Sequence, residues 1–171
     1  RVLWERTEAL GVPVYLHGAE SHWASQCYVE HPELRRWSWG VEGATHALRI
    51  VVSGVFDDFP KATLMLGHLG ESLPFSLWRI THAFGRPGNR EMPASFRDYF
   101  CKHVWITTSG NFSNPALLCC VMEMGVDRIL FSVDYPFVAN APAAAWIPTI
   151  PLSAEDRTKI LSGNVERLLK L

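Results

Sequence analysis

Arg128-Ile-Leu-Phe-Ser-Val-Asp134, running on into Tyr135-Pro-Phe137, is the stretch whose reading decides the fold. It is a short apolar run that ends in one carboxylate and is stopped by a proline. A run of this kind fits a strand buried on both faces, and such strands belong to parallel sheets covered by helices. Three other segments have the same build. Val12-Pro-Val-Tyr-Leu-His17 ends in an imidazole, Ala62-Thr-Leu-Met-Leu-Gly-His68 in another, and Val104-Trp-Ile-Thr-Thr-Ser109 in small polar groups.

Helical text separates these runs. Ala44, Ala47, Leu48, Val51, Val52 and Val55 share one face, which predicts a helix over Val41 to Phe59, ended by Asp57, Asp58 and Pro60. Further helices are expected from Leu73 to Phe84, with Pro74 tolerated near the start, and over Ser95 to Cys101. Another is expected from Asn114-Pro115 to Met124, capped by Gly125, and a last one from the N-cap Ser153 to Leu168. The Trp-rich stretch Ala19 to Trp39 reads as an active-site or interface loop, and Ala139 to Pro151 as a Pro/Ala-rich loop. Strand, loop and helix thus alternate four times in one α/β domain covering residues 1–171. Two architectures carry that pattern: a small doubly wound sheet, or half of an eight-stranded barrel of about 250 residues.

Composition narrows the function classes. Hydrophobic residues make up 48 % and charged residues 19 %, a globular balance, and the net charge of −1 leaves no basic footprint for nucleic acid. No apolar run approaches the roughly 18 residues of a membrane span. Cys27, Cys101, Cys119 and Cys120 include no Cys-x-x-Cys pair, so reduced thiols in a cytoplasmic protein are expected. No charged-then-apolar leader is visible in the first residues.

The chemistry gathers at the strand ends. In both architectures the carboxyl ends of parallel strands form the working face. His17, His68 and Asp134 would project into one mouth, and imidazole with carboxylate suits a divalent metal or acid/base work. Each residue also has a plainer reading. A lone strand-end His is often a hydrogen-bonded structural residue, and an Asp after a strand is often a helix N-cap. Asp134, however, is followed by Tyr135-Pro136 and not by a helix start. His22, His31, His46, His82 and His103 read as surface or packing residues, and Glu20-Ser21-His22 as a decoy of a metal motif.

Four segments in order resemble a known family. They are Val14-Tyr-Leu-His17, Trp37 to Arg49, Gly67-His-Leu-Gly-Glu71 with Trp78-Arg79, and Ile129 to Phe137. Together they are similar to metal-dependent decarboxylases of the amidohydrolase superfamily, those of 2,3-dihydroxybenzoate and γ-resorcylate in particular. The resemblance implies strands five to eight of a (β/α)₈ TIM-type barrel whose first four strands would lie upstream, so the domain is expected to be N-terminally incomplete. It implies His17 as a metal ligand, and His68 as a catalytic histidine oriented by Glu71. Asp134 would be both metal ligand and proton-handling acid. Arg79 would reach toward a neighbouring subunit's site, and Phe137 would pack on the substrate ring. Val138 and Gly18 depart from the family's more usual glutamate and proline.

The implied activity is non-oxidative decarboxylation of a hydroxybenzoate-type aromatic acid in aromatic acid catabolism. The implied cofactor is one divalent ion, zinc or manganese before magnesium. The partners would be a small aromatic carboxylic acid and further copies of the chain, as dimer or tetramer, with no nucleic acid and no membrane. Two alternatives stand beside it: a metal-dependent hydrolase of amides or lactones, and a non-enzymatic binding or assembly module.

Overall fold

The computed structural model describes residues 1–19, 31–84, 86, 91, 92 and 94–171. Glu20, His22 and Cys27 therefore lie outside the described residues.

The elements follow one another as α1 (Val2–Leu10), β1 (Val14–Leu16), α2 (Arg35–Val52), α3 (Val55–Asp58), β2 (Leu64–Leu66), α4 (Leu73–Phe84), α5 (Phe96–His103), β3 (Val104–Thr107), α6 (Asn114–Met124), β4 (Ile129–Leu130), α7 (Asn140–Trp146), α8 (Ala154–Thr158) and α9 (Asn164–Leu169). The four strands pair in parallel in the order β1-β2-β3-β4. The register sets Leu64 beside Val14 and Val104, and Ile106 beside Ile129. Consecutive parallel strands joined by helices are the repeating unit of a barrel wall.

Side chains alternate across the sheet, as the two-residue period requires. Leu64, Leu66, Val104, Ile106 and Ile129 face the helices, where Ala47, Val51, Phe56, Leu77, Phe100 and Leu117 join them in the main core. Met65, Trp105 and Leu130 occupy the opposite face with Val165 and Leu168. The guanidinium groups of Arg128 and Arg167 lie 5.0 and 5.7 Å from the Trp105 ring.

Each predicted strand is present but shorter, because the ladder stops before the polar residues that leave the sheet for the mouth. Three expectations are corrected. The helix expected from Val41 begins at Arg35, after a 3₁₀ turn over Pro32–Leu34, so Trp37 and Trp39 are helical. That helix ends at Val52, because Gly54 takes φ 87° and restarts the chain as α3. Residues 139–151, expected as loop, contain α7 and a 3₁₀ turn over Ile147–Thr149. Pro142 falls in the first turn of α7, where its missing N–H costs nothing. Buried Ala143 and Trp146 anchor that helix, and the Trp146 indole donates to Asn114 Oδ1 at 2.7 Å. The hydroxyl of Ser153 caps α8, accepting from the Asp156 amide at 3.0 Å. Among the described residues no helix is long and apolar enough to cross a membrane.

Candidate metal centre

His17 lies just past β1, on the same parity as Tyr15, so it points to the mouth and not to the helices. Its Nδ1 lies 2.6 Å from the Gly18 carbonyl and donates to it. That bond selects the tautomer whose Nε2 keeps its lone pair, the state a metal-binding imidazole needs. Gly18 is there because of α2: a Cβ at position 18 would sit 2.0 Å from the Trp39 carbonyl oxygen.

His68 follows β2 in a turn of unusual hand. His68, Leu69, Gly70, Glu71 and Ser72 all have positive φ, at 51°, 57°, 77°, 54° and 65°. Left-handed backbone costs a non-glycine residue roughly 1–2 kcal/mol, so such a run persists only where its surroundings impose it. Leu69 is buried, and the Cys120 thiol donates to its carbonyl at 3.5 Å. The result of the turn is specific. It brings His68 Nδ1 and Glu71 Oε1 to 2.6 Å across three residues. The Glu71 side chain is only 7 % exposed, and a carboxylate so buried needs this partner. The bond to Glu71 raises the His68 pKa above its usual 6.5; partial burial opposes this, and the charges of Glu71 and Asp134 add to it. His68 is thus held toward the imidazolium form, in which Nε2 donates.

Asp134 stands four residues past β4, with φ 76°. Its Oδ2 lies 3.8 Å from His68 Nε2. The His17 and His68 rings approach edge to face, with centroids 5.6 Å apart. One donor atom each from His17, His68 and Asp134 lies within 4.8 Å of the others, the one group of potential metal-binding residues among those described. An imidazole and a carboxylate at this spacing fit a divalent first-row ion, with the His68 imidazolium beside them as a donor.

These residues sit at the floor of a cleft of about 660 Å³. Trp37, Trp39, Gly40, Val41, Ala44, Thr45 and Leu48 of α2 form one wall, and Asn111, Phe137 and Val138 stand opposite. Of the sequence-predicted site residues, His17, His68, Glu71, Asp134 and Phe137 all line this cleft. Arg79 does not: it is exposed on α4, beside Phe75 and Trp78, which are 84 % and 73 % exposed. Trp37 and Trp39, expected in an active-site or interface loop, do line the cleft but from helix α2. The sequence reading missed Asn111, whose amide donates to the His68 carbonyl at 3.4 Å.

A family model described as amidohydrolase matches residues 1–171. The chain belongs to the amidohydrolase family. It is 41 % identical to γ-resorcylate decarboxylase of Polaromonas sp. over 98 % of its own length and 53 % of that protein's. Among solved structures, dihydroxybenzoic acid decarboxylase of Polaromonas sp., with bound manganese and the inhibitor 2-nitroresorcinol, superposes with a TM-score of 0.91 at 41 % identity, covering 99 % of this chain and 53 % of that one. The 5-carboxyvanillate decarboxylase of Sphingomonas paucimobilis gives a TM-score of 0.91 at 31 % identity, with 99 % and 52 % covered. The chain thus spans about half the length of the curated relatives it matches. Its four βα units form one half of a TIM-type barrel, as the resemblance implied and in place of the doubly wound sheet that the strand pattern alone left open.

Proposed function

We propose that this amidohydrolase is a metal-dependent carboxy-lyase that removes carbon dioxide from a hydroxybenzoate-type aromatic acid. The observation that carries the reading is the convergence of His17, His68 and Asp134 at the ends of three parallel strands, within 4.8 Å of one another. The relatives' decarboxylase activity supports the reaction class, and the manganese of the Polaromonas structure supports the cofactor.

His17 and Asp134 would hold the ion, manganese or zinc before magnesium. A bound cation supplies positive charge that fixes an aryl carboxylate and its ortho oxygen and stabilises the negative charge on them. The remaining work falls to the chain's own groups. The apolar faces of Trp37, Trp39 and Phe137 suit a flat ring and keep water from it. In the reaction a proton adds to the ring carbon that bears the carboxylate. The bond from that carbon to the carboxylate carbon then breaks, its electron pair returns to the ring, and carbon dioxide departs. Asp134 delivers the proton, and His68, whose pKa the bond to Glu71 raises, stands 3.8 Å behind it as the source of the next one.

We further place the enzyme in the cytoplasm, in keeping with free Cys101, Cys119 and Cys120. We take it to be a homo-oligomer, in keeping with exposed Phe75, Trp78 and Arg79 on α4. The full-length protein, loaded with manganese, should release carbon dioxide from a dihydroxybenzoate and leave lactones and esters untouched. Asp134→Asn should lower kcat by about 10²–10⁴-fold. Retention of the wild-type rate would remove Asp134 from the proton step, and lactone hydrolysis without carbon dioxide release would replace the reaction class.

A further inference from the structure

The main-chain ladder between β3 and β4 ends before it reaches Asp134. Its last backbone bond runs from the Thr108 amide to the Leu130 carbonyl, at 3.0 Å. Beyond that point side-chain hydroxyls continue the pairing. The Ser132 amide donates to Thr108 Oγ1 at 2.9 Å, and that hydroxyl donates in turn to the Ser132 carbonyl at 2.6 Å. One buried hydroxyl thus serves both main-chain groups of Ser132, as a facing peptide unit would. The next residue repeats the grip: the Ser109 amide donates to Ser132 Oγ at 3.1 Å, and the two serine hydroxyls lie 2.7 Å apart.

The same chain of hydroxyls reaches β1. Ser109 Oγ bonds Thr107 Oγ1 at 2.8 Å, and both bond the Tyr15 hydroxyl at 3.0 Å. Tyr15 must cross over β2 to do so. It passes above Gly67, where a Cβ would stand 3.5 Å from the tyrosine oxygen and 3.6 Å from Ser109 Cβ. Tyr15 is two residues before His17, and Ser132 is two residues before Asp134.

We infer that Thr108, Ser109, Ser132 and Tyr15 form a hydroxyl frame that sets the spacing of His17 and Asp134 and so tunes how tightly a divalent cation is held. These are positioning residues: none of them lines the cleft, and each acts through the segment that carries a ligand. Backbone pairing holds the segment only as far as Phe131, whose amide donates to the Ile160 carbonyl at 2.9 Å, and from Ser132 onward the hydroxyls take over. Partners that orient metal ligands typically change affinity by 10–100-fold when removed. The inference rests on the metal reading above.

The test is manganese affinity of the intact protein after removal of bound metal, followed by electron paramagnetic resonance. Thr108→Val keeps shape and removes the hydroxyl. It should raise the manganese Kd by about 10–100-fold, whereas Thr108→Ser should stay within about threefold of wild type. Ser132→Ala and Tyr15→Phe, which disturb the fold less, should each weaken binding in the same direction. Ile160→Val, a core change that removes none of the frame's hydroxyls and keeps the main-chain bond to Phe131, controls for lost stability and should leave the Kd alone. A wild-type Kd in Thr108→Val, or equal weakening in Ile160→Val, overturns the inference. A wild-type protein that binds no manganese overturns the metal reading instead, and the frame is then judged by hydrogen exchange. Protection of the Ser132 amide should vanish in Thr108→Val and persist in Thr108→Ser; an unprotected Ser132 amide in the wild type overturns the frame.

Discussion

At Gly70 two demands meet in one residue. Its φ of 77° belongs to the left-handed region, and a Cβ there would lie 2.9 Å from Ile106 Cγ2 and 3.0 Å from Pro74 Cδ. Gly70→Ala should therefore cost about 2–4 kcal/mol, combining left-handed strain with overpacking. Urea denaturation measures it, and a loss below about 0.5 kcal/mol, the size of an ordinary surface change, would contradict the turn. Among single residues, those that bear chemistry were the legible ones. His17, His68 and Asp134 announced themselves by closing apolar runs. Thr108 and Ser132 did not, since a hydroxyl that replaces a peptide partner looks the same in sequence as one in water. Arg79 was legible only as part of a resemblance, and it stands on the exposed side of α4.

At the scale of elements, α5 joins β3 through His103, which is 2 % exposed. Its ring stacks on Phe56 with centroids 4.5 Å apart, Nδ1 donates to the Ala62 carbonyl at 3.2 Å, and Nε2 has no hydrogen-bond partner among the described residues. Burial holds its pKa below 6.5, with the Ala62 bond opposing. The folded protein therefore keeps His103 neutral, while the unfolded chain takes up a proton near pH 6.5. Stability should be unaffected above that pH and should fall as the pH drops from about 6.5 to the folded pKa. His68 works in reverse: its raised pKa contributes stability that is present below 6.5 and is lost as the pH rises through its folded value. Comparing wild type with His103→Gln in urea at pH 5 and 7.5 isolates the first effect, and the variant should lose less stability on acidification. Equal losses would mean that His103 is already charged in the fold. The order of the four strands and of most helices was readable, because apolar runs and helical spacing are local signals, but α7 was read as loop and the break before α3 was not seen. Boundaries were not readable. The start of α2 depends on a 3₁₀ turn at Pro32, and α7 depends on Trp146 finding Asn114 some thirty residues away in the chain.

For the whole molecule, the ligand-bearing segments leave the two outer strands of the sheet, β1 and β4. A cation held by His17 and Asp134 would clasp those edges, and it could do so only in the folded state. Manganese at a hundred times its Kd should then add about 2.7 kcal/mol. In the full-length protein that should appear as a rise in Tm of several degrees. Scanning fluorimetry with manganese and then with chelator reads this directly; no shift in wild type, or the same shift in His17→Ala, would sink the clasp. Four repeated βα signals made a parallel sheet legible but fitted a doubly wound sheet as well as a barrel, and the ordered motifs of the resemblance decided between them. The depth and lining of the cleft were not legible, since they depend on how α2 leans on the sheet. That lean has a consequence for descent. A Cβ at Gly40 would come within 3.0 Å of Glu71 Oε2, and one at Gly43 within 3.5 Å of the Gly18 Cα. The inner flank of α2 thus packs closely on Glu71 at Gly40 and at ordinary contact distance on Gly18 at Gly43, while Val41 and Thr45 look into the cleft from an exposed flank. Were the cleft to take a flat ring as proposed, a change at Val41 or Thr45 would reshape it from an exposed flank, whereas one at Gly40 would first have to displace the Glu71 carboxylate, so variation in what the cleft accepts should gather on one side of a single helix.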